Sequence, residues 1–304
     1  MTKPLAYWNG TIVAQSDVRV PVESPTVKYG AAVFEGIRAY WNEERGNLFL
    51  FRLQEHLDRL RMSMLVMGID DPFREGEVRE AVLAMLRAND YRGPVHIRLM
   101  VYLDGSGELG ARGPCGLAVL GVMRASAANV ETGLHCQVSS WRRISDQSMP
   151  PRVKTIGNYV NSRLALMQAK ADGYDSAILM NDRGCVSEGP TSCIFLVRDG
   201  VLITPSTTSS VLESITRDTV LRIAESCTGS PAVVRDVDRS ELYAAEEVFM
   251  CGSGPEIVPV NSVDRRNVGA GKPGPVTRKV QERYFRIVQG RDPARDPWLT
   301  PVYA

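Results

Sequence analysis

The chain has 304 residues, of which 44% are apolar and 23% are charged, and its formal net charge is +1. This composition is typical of a globular protein long enough for two domains, and it excludes a disordered or fibrous chain. A net charge so close to zero gives no electrostatic reason to expect binding to nucleic acid or to an anionic membrane.

No apolar run approaches the roughly 18 residues that cross a membrane, and the first residues, Met1 to Pro4, do not begin a signal peptide. We therefore expect a cytoplasmic protein. The six cysteines contain no CxxC pair, and the three histidines lie far apart along the chain. The sequence therefore predicts reduced thiols and no metal site.

The first third of the sequence predicts a small domain of strands and two helices. Asn9-Gly10, between two short apolar runs, is typical of a hairpin turn. Apolar residues spaced three and four apart, from Leu53 to Met64, predict a helix, and the same spacing predicts a second helix at about 75–88. Strands are predicted at 31–41, 47–52, 95–103 and 117–123.

Between 124 and 134 the sequence loses its periodicity and gains small residues, as expected of a connection between domains. We therefore expect a small α/β domain over 1–123, an interdomain loop over 124–134 and a large domain over 135–304. The large domain alternates predicted strands and helices: strands at 135–141, 175–182, 193–199 and 247–251, and helices near 158–171, 214–226 and 275–288. Many short strands joined by polar turns favour a β-rich barrel or sandwich with helices outside it, and a mixed α+β fold class for the whole chain.

Lysine is rare in this chain, which has six lysines and thirty arginines, so an amine with a chemical role has few candidates. Lys154 stands just before Gly157-Asn158, a pair that breaks the chain ahead of a predicted helix. An amine at the edge of an element, beside apolar residues, loses hydration, and this favours the neutral nucleophile that forms a Schiff base. The alternative is an ordinary surface lysine.

A lone carboxylate, Glu188, follows a predicted strand in Ser187-Glu188-Gly189. A carboxylate opposite a pyridine nitrogen keeps that nitrogen protonated, which pyridoxal chemistry requires. The alternative is a Glu-Gly turn.

Ile215 and Thr216 open a predicted helix, whose first N–H groups and positive dipole end form a natural phosphate site together with the Thr216 hydroxyl. Arg59, on the first predicted helix, is a candidate to add a bidentate guanidinium to the same anion. The alternatives are an ordinary capped helix and a solvated arginine.

Six segments together resemble the branched-chain aminotransferases of pyridoxal-phosphate fold type IV, in the order and spacing of that family, from about residue 5 to about residue 290. They are Tyr29-Gly30, Val33 to Tyr40, Gly157 to Tyr159, Val186 to Gly189, Ile215 to Asp218 and Gly274 to Thr277. The resemblance implies a small α/β domain and a larger β-barrel-like domain with flanking helices, with pyridoxal 5'-phosphate and substrate in the cleft between them. It also implies a homodimer, or an assembly of dimers, because active sites in this family borrow residues from a neighbouring small domain.

The resemblance also implies a role for each matched residue. Lys154 is expected to form the Schiff base and to move the proton, Glu188 to contact the pyridine nitrogen, and Tyr159 to contact the phenolic oxygen of the ring. The expected phosphate ligands are Arg59, Ile215, Thr216 and Ser253. The expected substrate residues are Tyr29, Phe34, Gly36, Arg38, His96, Arg98, Gly254 and Pro255, with Arg98 receiving the distal carboxylate of glutamate or 2-oxoglutarate.

Several positions depart from the family's usual pattern. His96 replaces a tyrosine that helps to bind the substrate α-carboxylate, and Pro255, which has no N–H group, stands in a turn that usually offers main-chain donors. Ser214 stands where a glycine usually precedes Ile-Thr. We interpret these changes as altered specificity, with neutral drift as the alternative.

The predicted reaction is transamination between a small aliphatic, branched-chain-like amino acid and a 2-oxo acid such as 2-oxoglutarate. Three alternatives remain open: a D-amino acid or amine transaminase, an enzyme similar to aminodeoxychorismate lyase, and a cofactor-binding protein without turnover.

Overall fold

The computed structural model describes residues 3–303 and divides the chain into two compact units. The first unit runs to Ala125 and also contains 153–157 and the C-terminal segment from Arg286, whereas 126–152 and 158–285 form the second. The predicted large domain, 135–304, included the two segments that the structure places in the first unit. Their membership depends on contacts between residues distant in sequence, which a local pattern does not reveal.

The first unit is built on a seven-stranded antiparallel sheet. Its strands are β1 (Leu5–Trp8), β2 (Thr11–Ala14), β3 (Ala32–Asn42), β4 (Asn47–Phe51), β5 (Val95–Leu103), β6 (Cys115–Met123) and β15 (Leu299–Pro301). Their order across the sheet is β15-β4-β3-β5-β6-β1-β2. The C-terminal strand β15 therefore lies at one edge, beside β4.

Two helices, α2 (Leu53–Met67) and α3 (Glu77–Asn89), cover one face of this sheet, as their apolar spacing predicts. Helix α2 packs on β3 and helix α3 on β1 and β6, and their apolar stripes join alternate strand residues such as Ile37 and Ile97 in one buried cluster. The unit also contains a short helix α1 (Pro25–Tyr29) and 3-10 helices at Gln15–Asp17 and Pro293–Trp298.

The second unit contains an eight-stranded mixed sheet. Its strands are β7 (Leu134–Arg142), β8 (Ser176–Met180), β9 (Cys193–Arg198), β10 (Val201–Thr204), β11 (Val233–Val234), β12 (Glu247–Gly252), β13 (Glu256–Val263) and β14 (Arg266–Asn267). Their order is β11-β10-β9-β12-β13-β7-β8, and β14 pairs with β13. The central strands β12 and β13 are buried along their whole length, which explains why their sequences lack polar alternation.

The helices of the second unit are α4 (Asn129–Thr132), α5 (Asn158–Ala171), α6 (Ile215–Thr228), α7 (Arg239–Ala244) and α8 (Pro275–Val288), with a 3-10 helix at Thr207–Ser209. Helix α8 extends past Phe285 into the first unit. Helix α4 lies within the stretch predicted as an interdomain loop, where its single turn is too short to leave a periodic pattern.

The motif Gly274 to Thr277 begins α8, and its role is structural. The Glu247 carboxylate on β12 accepts hydrogen bonds from Val276 N (2.9 Å), Thr277 N (2.7 Å) and Thr277 Oγ1 (2.6 Å). These bonds satisfy N–H groups that have no partner within the helix. A Cβ on Gly274 would overlap this carboxylate, so the position requires glycine.

Among residues 3–303, no helix is long and apolar enough to span a membrane, and no group of three His, Cys, Asp or Glu side chains is arranged to hold a metal ion. All six cysteines carry thiols rather than disulfides.

Candidate active site

Hydrogen bonds between β3 and residues 154–156 hold Lys154 beside this strand. Phe34 N donates to Lys154 O at 3.0 Å, Ile156 N donates to Ala32 O at 3.1 Å, and Thr155 Oγ1 donates to the same carbonyl at 2.8 Å. On α2, Ser63 Oγ accepts a bond from Lys154 N at 3.2 Å. β4 pairs only with the C-terminal end of β3, from Ala39 onward, so the 153–157 segment occupies the rest of that edge.

Five residues predicted to lie on the substrate side share one face of the first sheet. Residues Phe34, Gly36 and Arg38 alternate along β3, and Gly36 and Arg38 pair across the strands with Arg98 and His96. Alternate residues of a strand point to the same face, and here it is the face opposite α2 and α3. The structure therefore brings these five predicted residues together.

The Phe34 ring is close to two basic side chains, Arg98 and Lys154. The Arg98 guanidinium is 4.4 Å from the Phe34 ring centroid, and Lys154 Nζ is 4.9 Å from it. Both distances are within the range of a cation–π contact. Lys154 and the predicted substrate arginine thus share one aromatic side chain.

Tyr29, the remaining predicted substrate residue of this unit, ends α1 and is 43% exposed. The following residue, Gly30, has φ 72°, and a Cβ there would lie 3.7 Å from Gly157 Cα. Tyr29 therefore lies close to the segment that carries Lys154.

The imidazole of His96 occupies space left by Gly36, since a Cβ on Gly36 would lie 3.3 Å from His96 Nε2. Burial, reinforced by the positive charges of Arg124, Arg38, Arg98 and Lys154, lowers the pKa of His96 from 6.5 to about 4. His96 is therefore a neutral imidazole near neutral pH, able to donate one hydrogen bond but carrying no charge.

A buried ionic cluster on the opposite face of β3 was missed by the sequence reasoning. Glu35 Oε1 and Oε2 accept from Arg59 Nε (2.8 Å) and Nη2 (2.7 Å), and Oε2 lies 2.7 Å from His56 Nδ1. The three side chains are almost fully buried. Burial by itself would raise the pKa of Glu35, but the charges and hydrogen bonds of Arg59 and His56 outweigh it and lower that pKa to about 2.

This cluster modifies the expectation for Arg59. The edge of its guanidinium formed by Nε and Nη2 binds Glu35 in a bidentate manner, so that edge is engaged by a carboxylate within the first unit. A phosphate contact by Arg59 stays a prediction. It would use the N–H groups of the guanidinium that lie outside this edge. A recognisable signal was present: His56, Arg59 and Ser63 follow at helical spacing beside the apolar stripe of α2, which indicates a polar face turned inward.

In the second unit, Glu188 is 5% exposed and its carboxylate is held by three donors. Oε1 accepts from Arg143 Nε at 2.9 Å, and Oε2 accepts from Leu212 N at 3.1 Å and from Cys193 Sγ at 3.7 Å. A Cβ on Gly189, which follows, would lie 2.6 Å from Ser192 Oγ and 3.1 Å from Met250 Sδ, so a larger residue there would require these side chains to move. The sequence reasoning did not identify Arg143, whose position next to the end of β7 carries no local signal.

Helix α6 begins at Ile215, as predicted, and its first two residues are the predicted phosphate ligands. Ser214 is the N-cap residue, and its Oγ accepts from Arg217 N, the third N–H of the helix, at 3.2 Å. The serine that departs from the family pattern is therefore a helix cap. The Ser214 hydroxyl accepts a hydrogen bond from the N–H of Arg217, not from the N–H groups of Ile215 and Thr216.

The residues Ser253, Gly254 and Pro255 form the turn between β12 and β13, closed by the pairing of Gly252 with Glu256. Glu256 has φ 65°, an uncommon conformation for a residue other than glycine. Tyr159 lies in the first turn of α5 and is partly buried.

The predicted residues thus form two sets. Tyr29, Phe34, Gly36, Arg38, Arg59, His96, Arg98 and Lys154 belong to the first unit, and Tyr159, Glu188, Ile215, Thr216, Ser253, Gly254 and Pro255 belong to the second.

Comparison with known proteins identifies the family. Residues 32–263 match the model of the family described as amino-transferase class IV. The chain belongs to the class IV aminotransferases. The probable branched-chain-amino-acid aminotransferase of Aquifex aeolicus (strain VF5) is 38% identical over 98% of this chain and 96% of its own length.

Solved structures of aminotransferases share the fold. The branched-chain aminotransferase of the archaeon Thermoproteus uzoniensis, solved with norvaline, is 40% identical with a TM-score of 0.94, over 99% of this chain and all of that one. The branched-chain amino acid aminotransferase of Thermobaculum terrenum in its PLP form is 40% identical with a TM-score of 0.92, over 99% of each chain. The predicted family and the fold type IV class are therefore confirmed. The roles of individual site residues stay predictions.

Proposed function

We propose that this aminotransferase uses pyridoxal 5'-phosphate to transfer the amino group of a small aliphatic, branched-chain-like amino acid to a 2-oxo acid such as 2-oxoglutarate. The observation that carries the proposal is the fixed position of Lys154 beside β3, near the face that presents Phe34, Arg98 and His96. The names of the relatives, all branched-chain aminotransferases, support the substrate class.

Each unit carries donor groups of the kinds that pyridoxal phosphate requires. The first unit supplies a primary amine on a rigid edge, and the second supplies a buried carboxylate for a ring nitrogen, a phenol for the ring oxygen, and a helix start with hydroxyl groups for a phosphate. The cofactor, when bound, supplies the electron sink that stabilises negative charge at the substrate Cα.

The chain's own residues perform the remaining tasks. Lys154 Nζ would hold the aldehyde carbon of the cofactor and, as a free amine, would take the proton from the substrate Cα. Glu188 would keep the ring nitrogen protonated, and Tyr159 would contact the ring oxygen. The arginines of the sheet face attract the carboxylates of the substrates, with Arg98 assigned to the distal carboxylate of the acceptor.

Reductive labelling tests the assignment of Lys154. Borohydride treatment of the yellow enzyme, followed by peptide mapping, is expected to place the cofactor on Lys154 and on none of the other five lysines. A label on any other lysine would remove Lys154 from the mechanism, and loss of labelling in Lys154→Ala is the control.

A second candidate function keeps the chemistry and changes the substrate: a D-amino acid or amine transaminase, or a lyase. The observation behind it is that His96 stands where the family resemblance implies a tyrosine. A panel of L- and D-amino donors, followed by conversion of the cofactor's absorption band, separates the candidates. Indifference to leucine, isoleucine, valine and glutamate would reject the branched-chain substrate.

We also propose a homodimer or an assembly of dimers. The exposed face of α5 carries apolar side chains one and two turns apart, Val160 (61% exposed), Leu164 (40%) and Met167 (54%), as expected of a surface that another subunit covers. Light scattering after size exclusion tests this, and a monomeric enzyme would contradict it. The domain limits, the cytoplasmic location and the absence of nucleic-acid or membrane partners stay predictions.

A further inference from the structure

Arg143 is a buried arginine whose guanidinium forms an ion pair with the Glu188 carboxylate. It follows the end of β7, where its own N–H donates to Met180 O on β8 at 2.8 Å, and only 7% of its surface is exposed. A buried guanidinium is costly unless it is paired, and breaking such a pair leaves an uncompensated charge. The Nε–Oε1 distance of 2.9 Å is typical of a charge-assisted hydrogen bond.

Further bonds fix the direction of the guanidinium. Arg143 Nη1 donates to Asn161 Oδ1 at 3.4 Å, and Asn161 Nδ2 donates to Arg142 O at 2.8 Å. The guanidinium is therefore held from β7 and from α5, which leaves it little freedom to follow a moving carboxylate.

The hydrogen bonds that the Glu188 carboxylate accepts leave one lone-pair direction on Oε1 for a further donor. A carboxylate offers about four lone-pair directions, two on each oxygen. Oε2 receives both Leu212 N–H and the Cys193 thiol, whereas Oε1 receives Arg143 Nε. One direction of Oε1 remains for another donor, and the carboxylate cannot rotate away from it without breaking the bond to Arg143.

We propose that Arg143 is a positioning residue that fixes the orientation of Glu188, so that one lone pair of Oε1 is presented to the protonated ring nitrogen of the cofactor. The proposal rests on the proposed function of Glu188. Arg143 acts through Glu188 and is assigned no contact with the cofactor.

The test compares Arg143→Gln and Arg143→Lys with Arg142→Gln, a change to the neighbouring exposed arginine, as the matched control. Each variant is examined as the cofactor-loaded enzyme for kcat and KM with an amino donor, and for the absorption band of the bound cofactor at neutral pH. The affinity of the cofactor-free protein for pyridoxal phosphate and its unfolding in urea are measured alongside.

Arg143→Gln is expected to lower kcat by about 10-fold to 100-fold, the range for one lost hydrogen bond to a charged group. The KM for the donor is expected to stay within about twofold, because the substrate-binding groups are unchanged. The cofactor band is expected to shift and the affinity for pyridoxal phosphate to fall. Arg143→Lys, which keeps the charge but loses the Nε geometry, is expected to recover part of kcat, and Arg142→Gln to match the wild type.

A folded Arg143→Gln variant with wild-type kcat, band position and cofactor affinity would overturn the proposal. If that variant fails to fold, Arg143→Lys decides: a reduced kcat with a shifted band supports the proposal, and wild-type values of both reject it. A wild-type enzyme that binds no cofactor, or whose cofactor band no amino donor converts, would instead reject the proposed function.

Discussion

The buried cluster of Glu35, Arg59 and His56 makes a sharp prediction about stability. The perturbation is Glu35→Gln, which keeps the shape of the side chain and removes its charge. Arg59 then retains a buried positive charge that faces a neutral amide oxygen in place of the Glu35 carboxylate. Removing one partner of a buried ion pair typically costs about 3–5 kcal/mol.

The pKa of Glu35 leads to a similar magnitude. Lowering a carboxyl pKa from 4.5 to about 2 corresponds to about 3 kcal/mol of stability, at about 1.4 kcal/mol per pKa unit. A carboxyl with a lowered pKa contributes this stability fully above its unfolded value, and the contribution disappears as the pH falls from 4.5 towards about 2. We therefore expect Glu35→Gln to cost about 3 kcal/mol at neutral pH, and much less near pH 2.

His56 adds a second pH dependence. Burial lowers its pKa below 6.5, although Glu35 opposes this, so folding disfavours its protonated form. Stability is therefore lost as the pH falls below about 6.5, where the unfolded histidine takes up a proton. Glu35→Gln also removes the charge that raises the His56 pKa, so the loss linked to His56 is expected to be at least as large in the variant as in the wild type. The loss between pH 4.5 and about 2 due to Glu35 is expected in the wild type alone.

The assay is urea unfolding of the cofactor-free protein at several pH values, since bound cofactor would add its own stabilisation. Glu44→Gln, at an exposed glutamate in the turn between β3 and β4, is the control, with an expected effect within about 0.5 kcal/mol. A loss below about 1 kcal/mol in Glu35→Gln at neutral pH, or a difference that does not shrink between pH 4.5 and about 2, would refute the reasoning.

Two further predictions concern Gly274 and His96. Gly274→Ala is expected to cost about 2–4 kcal/mol of stability in urea unfolding, because its methyl group displaces the Glu247 carboxylate that caps α8, whereas Ala at the exposed Gly110, where a Cβ meets no atom within 4 Å, is expected to be nearly neutral. Equal stabilities of the two variants would contradict this account of the Gly-Pro-Val-Thr motif. His96→Phe is expected to raise KM for amino donors by about 10-fold or more, for one lost hydrogen bond to a carboxylate. Because the pKa of His96 is about 4, the ratio of the two KM values is expected to stay constant from about pH 5.5 to 8, and a ratio that rises towards acid would show that the charged imidazole binds substrate.

The sequence by itself determined the family, the fold class, and the elements with strong periodicity. Helices α2 and α3 lie where apolar spacing predicts them, because a helix that packs on a sheet must repeat its apolar residues every three or four positions. Phe34, Gly36 and Arg38 were predicted as substrate residues from the family resemblance, and the pleat of β3 necessarily directs them to one face.

Only the tertiary structure decided which distant residues meet. Glu35 lies on the opposite face of β3 from its neighbours Phe34 and Gly36. Its buried charge is stabilised because Arg59 and His56, on α2, contact its carboxylate. Arg143 reaches Glu188 across 45 positions of sequence. The placement of 153–157 with the first unit follows from main-chain hydrogen bonds to β3. Local patterns record whether a side chain is buried, but the partner of a buried charge depends on strand order and helix placement, which exist only in the folded chain.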